Sequence, residues 1–222
     1  VSRSAVASAV VVDRETGDTI LAENADRPFA AGSLVKLLIG WDALHRHRGD
    51  KMVRDRVFKM IQASDDPTAS SFWVSEGGTS IITRTRTVMG LRSTEPPVPS
   101  TRWGNTTVTA NDMARIYDYI MTQAEEFERD TILDAMKTAS KAGADGFKQH
   151  FGIPSATKPP WAVKQAWATD SEDHRLTHST GFVGENLRYV VIVLTEHPPG
   201  QSWDVATRSV TAGAAAIMSK LE

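Results

Sequence analysis

Ser33-Leu34-Val35-Lys36-Leu37-Leu38-Ile39-Gly40-Trp41 is the stretch on which the reading of this chain turns. From Leu34 to Trp41 it is apolar almost all the way round, and a helix with that pattern is buried rather than half-exposed. Ser33 and Lys36 are three positions apart, so they share a helical face. A lysine near the start of a buried helix needs a reason. Desolvation disfavours its charged form and suits an amine that must accept a proton. A serine beside such an amine can act as a nucleophile at neutral pH. The plainer alternative makes Ser33 the N-cap of this helix and lets Lys36 snorkel from its first turn.

The surroundings favour a soluble globular protein. The chain has 222 residues, enough for one domain or two intimate lobes. Hydrophobic residues make up 41% and charged residues 23%, an ordinary globular balance. A net charge of −2 gives no case for nucleic acid or an anionic membrane as partner. No apolar run is long enough to span a bilayer, and the absence of cysteine excludes disulfides and thiol chemistry. The start at Val1-Ser2-Arg3, without methionine, fits a mature chain after signal removal, so a secreted or cell-envelope location is expected.

Strands are expected at Ala5–Val12 and Thr19–Ala22, separated by the polar turn at 13–18. The buried helix from Ser33 follows. Val53, Val57, Met60 and Ile61 recur at helical spacing, and Asp66-Pro67 starts a further helix. Gly77-Gly78 breaks the chain, and Pro96, Pro97 and Pro99 mark an irregular loop. Thr109 to Asp112 reads as a capping box before a helix over Met113–Met121, and a further helix is expected over about 131–140. After Pro159-Pro160 the pattern turns to strands at Trp161–Ala168, Leu176–Val183 and Leu187–Leu194, an antiparallel meander. Ser202 caps a last helix with Val210, Ala214, Ile217 and Leu221 along one stripe. The expected fold class is α/β (α+β): an antiparallel sheet of N- and C-terminal strands, flanked by helices, with a helical lobe inserted. As a single domain, residues 1–31 and 156–222 form the sheet lobe and 32–155 the helical lobe. Ser33 then lies where the lobes meet, a common place for a pocket.

Ser64-Asp65-Asp66 falls in a turn between two predicted helices. With Ser33-x-x-Lys36 and this second element, the chain resembles the serine β-lactamase and penicillin-binding protein family. The likeness is closest to class A and covers nearly the whole length, including Gly77-Gly78, Met89-Gly90 and Thr107–Ile116. Its first motif is strong, its second fair and its third weak. The resemblance implies that Ser33 is acylated, that Lys36 is its base and that Ser64 relays a proton to the leaving group. Asp66 stands where the family has asparagine. An amide can donate to a substrate carbonyl, whereas an ionised carboxylate only accepts. Asp66 is thus either a substrate contact or an N-cap before Pro67.

For the family's third motif, Lys-Thr-Gly on the strand edging the cleft, two stretches compete: Lys164-Gln165-Ala166 and His178-Ser179-Thr180-Gly181. In the family two more strands follow the lysine-bearing strand, which selects Lys164 over His178. The resemblance gives Lys164 an anionic substrate group to hold. It places Gln165 and Ala166 along the substrate and pairs the Trp167 backbone N–H with that of Ser33 as an oxyanion hole.

Two features depart from class A. The loop over 91–105 is short and lacks the glutamate that activates deacylating water; Glu95 is read as an exposed loop acid. The gap from Ser33 to Ser64 is also markedly shorter, which opens one side of the cleft. No metal site is read. His45 and His47 point to different helix faces, and His174 and His178 have no accompanying ligand cluster. Glu125, Glu126 and Glu128 read as a solvated run near a helix end. The expectation is a cofactor-free, monomeric serine hydrolase or acyltransferase acting on β-lactams or D-Ala-D-Ala type cell-wall peptides. The alternatives are an esterase or peptidase of other specificity, or a catalytically weak binding domain.

Overall fold

The computed structural model describes residues 1–2 and 5–221. Strand β1 (Val6–Asp13) is a run of small and β-branched residues, and β2 (Thr19–Glu23) returns antiparallel beside it. Strands β5 (Trp161–Thr169), β6 (Arg175–Val183) and β7 (Tyr189–His197) form the meander. β7 then pairs with β1, from Val6 opposite Glu196 to Asp13 opposite Tyr189. The sheet order is β2-β1-β7-β6-β5. The two ends of the chain therefore build one sheet, with β5 at its edge. A short pair, β3 (Phe29–Ala30) with β4 (Thr107–Val108), joins the first loop to the helical region.

Between β3 and β5 lie α1 (Lys36–Arg46), α2 (Lys51–Gln62), α3 (Asp66–Ser75), α4 (Thr79–Val88), α5 (Ala110–Thr122), α6 (Glu126–Lys137) and the single turn α7 (Ile153–Ala156). Helix α8 (Trp203–Met218) closes the chain. The larger core lies between the inner sheet face and the helices, around Leu37, Leu38, Trp41, Met60, Ile116 and Tyr117. The smaller one lies under α8, around Val163, Val191, Val193, Val210 and Ala214. Strand alternation splits β5 between them: Ala162 and Ala166 face the first core and Val163 the second.

Several local expectations need correction. Leu187 belongs to a 3-10 turn over 185–187 rather than to a strand, because Asn186 and Leu187 both take positive φ. The N-cap of α3 is Asp65, and Asp66 is its first helical residue. The Thr109 box is half-formed. Thr109 accepts from Asp112 N–H, but the Asp112 carboxylate does not return; it accepts from Arg92 N, Ser93 N and Thr94 Oγ1. Nor is Glu128 solvated. It is buried and accepts from Trp41 Nε1 at 3.0 Å and from Glu125 N at 3.1 Å, with His45 Nδ1 at 2.9 Å. The helix α6 accordingly begins at Glu126, earlier than its apolar pattern indicates.

Candidate active site

Ser33 lies in a 3-10 turn, Gly32–Val35, that runs directly into α1. Gly32 takes φ +51°, and a Cβ there would stand 3.2 Å from the Ala166 Cβ. Only glycine meets both demands, the left-handed backbone and the close approach of β5. Ala166 therefore serves as the small residue that lets the Ser33 turn press onto the edge strand. Ser33 is 7% exposed, and Lys36, one turn on, has no exposed surface. Ser64 occupies the turn between α2 and α3 with φ +55° and is also buried. Lys164 reaches the same point from β5, on the face it shares with Ala162 and Ala166.

The four side chains make a continuous chain of hydrogen bonds. Lys36 Nζ donates to Ser33 Oγ at 2.6 Å and lies 3.5 Å from Ser64 Oγ. Lys164 Nζ donates to Ser64 Oγ at 2.9 Å and to the Gln165 carbonyl at 2.7 Å. Asp66 joins as an ion-pair partner: its Oδ1 is 2.6 Å from Lys36 Nζ. Asp66 is not the helix cap; it is the counter-ion of the buried amine.

The two lysines differ electrostatically. Burial lowers Lys36 from the usual lysine range, while the charge and hydrogen bond of Asp66, with Asp65 and Asp145 further off, pull it back up. Burial lowers Lys164 much further; the charge on Lys36 adds to that, and only Asp66 opposes it.

Other residues named from the sequence lie elsewhere. The Gln165 side chain is turned to the opposite sheet face, where its Nε2 donates to the Phe151 carbonyl and its Oε1 has no partner among the described residues. The Trp167 indole stacks on Phe147, centroids 4.9 Å apart, and donates to Asp145 Oδ2 at 2.8 Å. His178 is buried in β6, with Nε2 2.9 Å from the Ala30 carbonyl and Nδ1 accepting from Thr195 N. Burial pushes its pKa down to about 4. Ser179 accepts from Ile153 N on the α8 side. Neither joins the cluster around Ser64. Glu95 is exposed and paired with Arg86. Among the described residues no group of three or more histidines, cysteines or acids could hold a metal ion.

Sequence reasoning missed Trp103. It stands in a 3-10 turn, Trp103–Asn105, at the end of the proline-rich loop. Its ring centroid is 4.5 Å from Lys36 Nζ, a cation–π contact, and its indole N–H donates to Ser70 Oγ at 3.1 Å. A lone tryptophan in an irregular loop was the only available signal, since no periodicity assigns it a face.

The architecture matches solved enzymes far more closely than the sequence does. A class A β-lactamase from Mycobacterium abscessus aligns with a TM-score of 0.80 at 16% identity, over 98% of this chain and 94% of that one. An ancestral class A β-lactamase aligns at 0.77 with 15% identity, over 98% and 95%. The structure titled PBP-A aligns at 0.76 with 14% identity, over 99% and 91%. The chain has the fold of the serine β-lactamases and penicillin-binding proteins. No family profile matches it. Curated proteins do: "Putative lipoprotein LppW" of Mycobacterium tuberculosis, and the same protein of Mycobacterium bovis, are 32% identical over 212 residues, 91% of this chain and 67% of theirs. The chain belongs to this LppW family of mycobacterial proteins.

Proposed function

We propose that the protein is a serine hydrolase or acyltransferase that forms an acyl-enzyme on Ser33. The observation that carries this reading is the 2.6 Å bond between Lys36 Nζ and Ser33 Oγ, inside a cluster that Ser64 extends to Lys164. Neutral Lys36 accepts the Ser33 proton as Oγ attacks an acyl carbonyl. Ser64, bonded to both amines, returns a proton to the leaving group. Lys164 makes both its hydrogen bonds within the protein, so it acts on the reaction through Ser64. The backbone N–H groups of Ser33 and Trp167 supply the oxyanion hole, and Ala166 sets the spacing between them. β-Lactams and D-Ala-D-Ala type peptides are the substrate classes that the fold suggests. The name of the relatives supports a cell-envelope location; among the described residues no helix is long and apolar enough to cross a membrane.

The test is incubation of the protein and a Ser33→Ala control with a fluorescent penicillin and a fluorophosphonate probe, followed by intact mass. A Ser33-dependent adduct is expected. Decay of the penicillin adduct separates a β-lactamase from a penicillin-binding protein. No adduct with either probe would overturn the nucleophile and leave the second reading, a binding domain. The Asp66–Lys36 ion pair favours that second reading, because it holds the base in its protonated form.

A further inference from the structure

Asp66 is unevenly used. Its Oδ1 pairs with Lys36, which is fully buried, yet the Asp66 side chain is 66% exposed. Among the described residues its Oδ2 has no hydrogen-bond partner. Ser33 Oγ and Asp66 Oδ1 are each 2.6 Å from the same Nζ, which bounds their separation at twice that distance. A free carboxylate oxygen therefore stands at the mouth of the site, close to where a scissile carbonyl must lie to meet Ser33. A carboxylate can only accept a hydrogen bond, so this position selects a donor and rejects a carbonyl.

Helix α3 continues the site outward. Asp66, Ser70, Trp73 and Val74 follow at helical spacing and share one face. Ser70, Trp73, Val74, Ser100 and Trp103 line a groove of about 400 Å³ that has no charged side chain in its wall. Trp103 joins groove and site, since its ring covers Lys36 while its N–H holds Ser70. Val74 is 80% exposed, so the groove offers apolar surface along its length.

We propose that the acyl group accepted at Ser33 carries an amine on the carbon next to its scissile carbonyl, bound as an ammonium by the outward oxygen of Asp66, with an uncharged apolar remainder lying along α3 beside Trp103. This rests on the reading of Ser33 as nucleophile for the placement of the carbonyl. A charged donor suits a carboxylate better than a neutral one, and the indole face adds attraction for a cation. The preferred substrates are then α-amino acyl amides or esters with an apolar or aromatic side chain.

The test compares phenylalanine amide with 3-phenylpropanamide, which differ by one amine on that carbon. Dissociation constants are measured calorimetrically on the Ser33→Ala protein at about pH 6, below the α-amino range. Phenylalanine amide is expected to bind about tenfold tighter, the low end for a hydrogen bond to a charged group. Asp66→Asn should abolish the preference and Asp66→Glu should keep it, which separates contact with the carboxylate from damage to the turn. Equal or reversed affinities, a preference that survives Asp66→Asn, or no binding of either probe would each overturn the proposal. The nucleophile is judged separately, by adduct mass on the protein with Ser33 intact. A persisting amine preference without any adduct sinks the acyl-enzyme and leaves the ammonium site standing.

Discussion

Replacing Asp66 by asparagine should make Ser33 more reactive toward a neutral ester. Lys36 must be uncharged to take the Ser33 proton. Asp66 favours the charged form through an ion pair at 2.6 Å. An opposite charge this close favours the charged amine, and the exposure of Asp66 to water tempers the effect. Removing it lowers the Lys36 pKa. The rising limb of acylation against pH then moves toward acid, and below it the neutral fraction of Lys36 increases. A weaker base returns part of that gain, leaving a net rate increase of up to about fivefold, the worth of an exposed ion pair of about 1 kcal/mol. The assay is release of p-nitrophenol from p-nitrophenyl acetate across the pH range, for both proteins; this ester carries no amine, so the proposed ammonium contact does not enter. A limb that stays in place or moves toward alkali, or a rate that falls at neutral pH, would refute Lys36 as the base that Asp66 restrains.

Two further outcomes concern stability. Asp112 has no exposed surface and accepts from Arg92 N, Ser93 N, Thr94 Oγ1 and Arg115 Nη1 at 2.7–3.0 Å. Asp112→Ala leaves these donors unpaired and should cost about 3–5 kcal/mol in urea unfolding; a loss under about 1 kcal/mol would show that the 91–94 loop holds itself. His178 is neutral in the fold, with its pKa lowered by burial from 6.5 to about 4. The unfolded chain binds the proton first as pH falls, so the stability from the neutral ring is complete above about pH 6.5 and drains away between there and about pH 4. The loss is about 3 kcal/mol at the acid end of that window. His178→Gln should flatten the stability–pH slope there, and identical slopes for both proteins would exclude the histidine as its source.

The strands were legible because small and β-branched residues run together in β1 and the meander, bounded by short polar turns. Ser33, Lys36 and Ser64 were legible because short spacing and a turn bring their chemistry together. Lys164 came from counting strands. What stayed hidden depends on partners remote in sequence. Asp66 has the letters of a helix cap, and only the fold shows Lys36 beside it. Glu128 sits in an acidic run that looks solvated, yet Trp41 and His45, far back on α1, desolvate and bond it. Gln165 is a different case. A strand turns successive side chains to opposite faces, so Lys164 and Gln165 could not both point at Ser33. The alternation needed to exclude Gln165 was already in the sequence.

Two amines and one carboxylate around Ser64 give the site a charge problem with one cheap solution. Two ammonium groups in a water-poor space repel strongly, so the carboxylate decides which of them keeps its proton. Asp66 pairs with Lys36, while Lys164 is buried without an acid of its own, and burial and the charge on Lys36 both lower its pKa. On the proposed reading of Ser33 as nucleophile, that arrangement would restrain it, because its nearest amine is occupied by Asp66. A substrate ammonium on the free oxygen of Asp66 divides the carboxylate's attraction between two cations and weakens its hold on Lys36. The amine-bearing substrate would then release the base that activates Ser33 against it. The expected signature is an acylation limb at lower pH for the p-nitrophenyl ester of phenylalanine than for that of 3-phenylpropionic acid in the native protein, with the two limbs coinciding in Asp66→Asn. Limbs that coincide in the native protein would confine any amine preference to binding and remove it from catalysis.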